Sequence, residues 1–106
     1  MKDEKKSENH TPTIQAIVWY KEEDWEKLLG MFTDGHLLPK SHKDWLERAE
    51  KMVEQVEAGG DVVMKVFIDP ETFPLWCKKK DRPMDMNART DLAIEVATKQ
   101  KFGAKV

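Results

Sequence analysis

The sequence predicts one small, helix-rich α+β domain in the order βααβαα with a two-stranded sheet. Two short runs of β-branched and aromatic residues, IQAIVWY and DVVMKVFI, are separated by segments whose apolar residues recur at helical spacing. Glycine and proline punctuate the joins between them. The 106 residues give room for a single modest core, burying roughly 60–70% of the unfolded surface.

The first run, Ile14 to Tyr20, is a strand in which only Gln15 interrupts the apolar residues. Residues Lys21 to Phe32 then turn helical, because Trp25, Leu28, Leu29 and Phe32 share one face. Glu22, Glu23 and Asp24 fall in the first turn, where negative charge complements the helix dipole. Gly30 sits inside this helix at a cost of about 1 kcal/mol relative to alanine, and Gly35 lies where it should stop. Ser41 is a good N-cap for the next helix, whose stripe of Trp45, Leu46, Ala49, Met52, Val53 and Val56 runs to Gly59-Gly60. The second strand spans Asp61 to Ile68, and only Lys65 breaks its interior, which suits a strand covered by helices. Asp69-Pro70 ends it. A short helix follows with Phe73, Trp76 and Cys77 on one face, starting near Phe73 because Pro74 cannot sit deeper in a helix. After the Asp81-Arg82-Pro83 turn, Asn87 is a candidate cap for a last helix carrying Ala88, Leu92 and Val96, with Ala93 and Ala97 beside them, to Gly103.

The domain is expected to span residues 13–106, preceded by a charged, disordered tail over residues 1–12. If the strands are neighbours, the long helical connection makes them parallel with a right-handed crossover. Such a sheet is marginal alone, and its outer edges offer unpaired backbone groups. Either helices cover those edges, or another chain pairs with them and extends the sheet across a dimer.

Composition removes several function classes. The net charge of −2, from 18 basic and 20 acidic residues, gives no general field for nucleic acid, which is an unlikely partner, or for an anionic membrane. The single cysteine forbids an internal disulfide, and no apolar run reaches the ~20 residues of a membrane helix, so a cytoplasmic address is expected. Ser7 and Ser41 are poor nucleophile candidates, and no glycine-rich phosphate loop, CxxC or HExxH occurs. No cofactor, metal or catalytic residue is assigned. Asp34, His36 and His42 lack the spacing of a metal site and read as exposed residues near a helix start.

Three features remain. Ile17 and Trp19, on the strand face opposite Ile14, Ala16 and Val18, join Val63 and Phe67 of the second strand as either a helix-covered face or an apolar surface for a partner. Lys78, Lys79, Lys80 and Arg82, with Arg89 as a further member, form a basic cluster. Cys77 precedes three lysines, and nearby cations can lower a thiol pKa, although its helical spacing with Phe73 points to the core. The leading expectation is a non-catalytic module that binds another protein or itself as a homodimer. A small nucleic-acid-associated regulator using the basic cluster ranks second, and a thiol enzyme or redox protein centred on Cys77 third.

Overall fold

A computed structural model describes residues 11–103, with side chains through Lys99. Residues 1–10 of the expected tail and residues 104–106 lie outside the described residues. Strand β1 (Ile14–Trp19) leads through a 3-10 turn at Glu22–Asp24 into α1 (Trp25–Met31). A second 3-10 turn at Gly35–Leu37 precedes α2 (His42–Ala58), followed by β2 (Val62–Phe67), α3 (Phe73–Lys80) and α4 (Met86–Gly103). This is the βααβαα order that the apolar spacing predicts.

The strands pair in parallel, Ile14 opposite Val62 through to Trp19 opposite Phe67. Two strands joined by a helical connection return in the same direction, because the helices carry the chain back to the start of the sheet. Side chains alternate between faces along each strand. Gln15, Ile17 and Trp19 therefore share one face with Val63, Lys65 and Phe67, and α2 covers it, with Trp19 and Trp45 meeting edge-on at 5.0 Å. Ile14, Ala16 and Val18 share the other face with Val62, Met64 and Val66. There α4 packs, bringing Ile94 and Ala97 beside Ile14 and Ala16. Among the described residues, no helix is long and apolar enough to cross a membrane.

The core is an aromatic cluster at the C-terminal end of the strands. Tyr20 packs against Trp45 at 4.8 Å and Trp25 at 5.7 Å, and Phe32 meets Phe73 at 5.7 Å. Leu28, Ile68 and Phe73 are fully enclosed. Offset and edge-on ring pairs of this kind add to the stabilisation from their buried area.

Local chemistry sets most element ends. Ser41 caps α2 as expected, its Oγ accepting from the Asp44 amide at 3.1 Å. Helix α3 begins at Phe73, which leaves Pro74 in the first turn, where its missing N–H costs nothing. The cap of α4 differs from expectation: Asp85, not Asn87, accepts from the Ala88 amide at 3.0 Å. Both residue types suit an N-cap, and the helix starts one residue before Asn87. The segment Lys21–Phe32 is not one helix, because its acidic start winds as a 3-10 turn before α1.

Two glycines separate backbone cost from packing need. A Cβ on Gly30 would meet nothing within 4 Å, so Gly30→Ala should raise stability by about 0.5–1 kcal/mol through the helix term alone. A Cβ on Gly35 would overlap the Leu29 carbonyl oxygen, so Gly35→Ala should lower stability by about 1 kcal/mol or more. Urea denaturation midpoints of the two variants check the opposite signs.

Candidate functional site

The sheet has two strands among the described residues, so β1 and β2 each keep one outer edge. The end rungs between them run from the Val62 amide to the Thr13 carbonyl and from the Ile68 amide to the Trp19 carbonyl. A strand residue points its N–H and C=O to the same side, and the side alternates along the strand. Thr13, Gln15, Ile17 and Trp19 therefore turn towards β2. Ile14, Ala16 and Val18 present their N–H and C=O groups to the outer edge.

That edge lies in a groove of about 450 Å³. Four consecutive β1 residues, Gln15 to Val18, line it, with Trp45, Met52 and Val56 of α2 on one side and Met86, Arg89 and Thr90 of α4 on the other. Consecutive residues of a strand face opposite ways, so a groove that meets all four meets the strand at its edge. No β2 residue lines it, which identifies the edge as the outer one. Tyr20 and Leu38 close one end. The α2 wall is apolar, the α4 wall mixes Met86 with Arg89 and Thr90, and the floor is backbone with hydrogen-bonding capacity. This combination suits an extended peptide segment better than a compact polar substrate.

A polar clamp holds the α4 wall in place. The Asp34 carboxylate accepts from both terminal guanidinium nitrogens of Arg89, at 2.8 and 3.3 Å, and from the Met86 amide at 3.0 Å. The Thr33 amide donates to the Met84 carbonyl at 2.9 Å, so the loop after α1 is stitched to the entry of α4. Arg89 is buried, its guanidinium 4.2 Å from the Phe32 ring centre, and its charge acts on the nearby Tyr20. Burial pushes the Tyr20 phenol up, partly offset by Arg89. The hydrogen bonds from Arg89, its positive charge and the Met86 amide hold the Asp34 carboxyl below the usual carboxylate range, although burial opposes them.

The residues singled out from sequence fall in different places. Trp19 is buried beneath α2, with the Lys65 ammonium 4.2 Å from its ring centre. Ile17 and Val63 are half-buried on the same face, and Phe67 at its end is exposed beside Lys21. Helix α2 thus covers this face, and Trp19→Lys would test folding rather than assembly. Of the patch, only Ile17 lines the groove.

The basic run is divided by its ion pairs. Lys80 pairs with Glu95 at 3.6 Å, Arg82 with Asp91, and Arg89 with Asp34 on the far side of α4's first turns. The buried Arg89 is not part of the Lys78–Arg82 surface. Lys78 and Lys79 remain as the cations of the run without a carboxylate partner among the described residues. Trp76 donates to Glu95 at 3.2 Å, which together with Lys80 and Lys99 lowers the carboxyl's pKa despite some burial cost.

Cys77 is buried, and its enclosure pushes the thiol pKa up, the reverse of an activated nucleophile. The nearby Arg82 charge opposes this shift more weakly. His42 is not an exposed residue: its Nε2 donates to the Tyr20 carbonyl at 2.8 Å, and its ring packs on Trp25 and Trp45. Asp34 and His42 thus serve separate tasks, and no cluster of metal-ligating residues occurs among the described residues.

No family model, curated protein or solved structure matches the chain.

Two predictions follow from these burials. Asp34 has a depressed folded pKa, so its contribution is complete at neutral pH and is lost as acid protonates it through that value. Asp34→Asn should therefore cost on the order of 3 kcal/mol at pH 7, by leaving the Arg89 charge uncompensated, and much less near pH 2. Denaturation curves at the two pH values check this. Native alkylation of Cys77 should be at least tenfold slower than in urea-unfolded chain, read by mass spectrometry.

Proposed function

We propose that the domain is a non-catalytic protein-interaction module whose β1 edge takes an extended segment of backbone. The observation that carries this is the placement of outward-facing Ala16 and Val18 in a groove walled by α2 and α4. An added strand would make hydrogen bonds to these groups, while alternate side chains would meet the apolar α2 wall and the mixed α4 wall. Backbone pairing supplies affinity, and the walls supply selectivity for small or apolar side chains.

Catalysis is the weaker reading of the same residues. The groove's polar groups are Gln15, Tyr20, Thr90 and an arginine already committed to Asp34. Its tyrosine is held away from ionisation. Such a set favours binding over proton transfer or nucleophilic attack.

Selection of short peptides against the purified domain tests this reading. Selected peptides should shift the amide resonances of Ile14 to Trp19 and bind Ala16→Pro at least tenfold more weakly, since proline removes an outward N–H without touching the β2 rungs. Peptides that bind Ala16→Pro and wild type alike, or shift only residues of α3, would place recognition elsewhere.

A further inference from the structure

Resting on that reading, we propose that the segment taken by the β1 edge is β1 of a second copy of this chain. The two strands run antiparallel about an Ala16–Ala16 pair, giving one continuous sheet in the order β2–β1–β1–β2. A closed dimer uses the same patch on both copies, so each residue of one edge must face its mirror position on the other. Centring on Ala16 sets Ile14 opposite the partner's Val18 and uses every outward group of β1. Moving the centre to Ile17 would draw in Tyr20, whose carbonyl lies past the strand end and already accepts from His42.

The two edges of the sheet differ in a way that selects β1. Strand β2 carries an exposed lysine, Lys65, at its middle, the usual protection of an edge that must stay unpaired. Strand β1 reads IQAIVW, with no charge, proline or glycine to discourage pairing. A second copy presents the same uncharged strand, so strand pairing sets no like charges opposite each other.

The helices would face their own counterparts in this arrangement. With the two-fold axis normal to the sheet, α2 lies beside the partner's α2, and α4 beside the partner's α4. Adding two strands moves each helix layer by about 9–10 Å, twice the strand spacing. Packed helices lie roughly 8–10 Å apart; α4 lies mainly over β1 and α2 over β2, so the α4 pair would approach more closely than the α2 pair. Met52 sits midway along α2 beside Ala16 and Ile17 and would meet its own counterpart.

The exposed apolar side chains flank this edge. Ile14 is 45%, Met52 45%, Met86 61% and Ile94 53% exposed. The strand edge is about 20 Å long, and the helix–sheet–helix stack is about 30 Å high. This gives a face of roughly 600 Å² before side-chain relief, close to the ~800 Å² per partner of a stable interface.

Solution mass by light scattering, from micromolar to about 1 mM chain, tests this together with a cross-link at Met52→Cys. Wild type should form a dimer whose dissociation constant rises at least tenfold in Met52→Glu, an exposed position where folding is preserved. A short bis-maleimide should join copies of Met52→Cys and not of Leu75→Cys on α3. A dimer unmoved by Met52→Glu, or joined through Leu75→Cys, overturns the proposal. A monomer at every concentration also overturns it. In that case an Ala16→Pro-sensitive peptide would leave the interaction reading standing, and its absence would remove both.

Discussion

The fold is governed by the need to cover a parallel pair of strands on both faces with few residues. A parallel pair requires a helical return, and each exposed apolar face requires a helix. Helix α2 meets one face through Trp45 and α4 meets the other through Ile94 and Ala97. The segment α1 and the short α3 close the C-terminal end around Tyr20, Phe32 and Phe73. Both faces are covered, and among the described residues the outer edge of β1 between the two helices stays open.

The clamp of Asp34 on Arg89 and Met86 makes that opening well defined. It ties the loop after α1 to the first turn of α4, the element that forms one wall of the groove. A carboxylate at a helix start also complements the helix dipole. The guanidinium lies on the Phe32 ring, so the polar clamp and the aromatic core share one contact. A buried ion pair adds little net stability, because desolvation offsets its attraction. Its value here is positional: it fixes where α4 enters.

Much of the fold was legible because its signals are local. The stripe Trp45, Ala49, Met52, Val56 and the cap Ser41 define α2 without reference to other residues. The break at Asp69-Pro70 and the position of Pro74 place α3 for the same reason. The burial of Trp19 followed from helices on both sheet faces. The site was less legible, because it depends on three elements meeting. Arg89 looked like a neighbour of the lysine run in sequence, yet it lies four residues before Ala93 on the core-facing side of α4. That spacing was its one available signal. The partner Asp34 carries no such signal, since it lies in a loop 55 residues away. The open edge was foreseeable as a problem of a two-stranded sheet, but which edge was open was not.

Amide hydrogen exchange along β1 tests the central claim most directly, because paired and outward groups alternate residue by residue. In dilute chain, the amides of Gln15, Ile17 and Trp19 should be protected, while those of Ala16 and Val18 exchange rapidly. On concentration, or on binding a selected peptide, Ala16 and Val18 should slow by at least tenfold while the others change little. Protection of Ala16 and Val18 already present in a dilute monomer would contradict the account, since the chain would then cover this edge itself. Rapid exchange at both positions under every condition would contradict it equally.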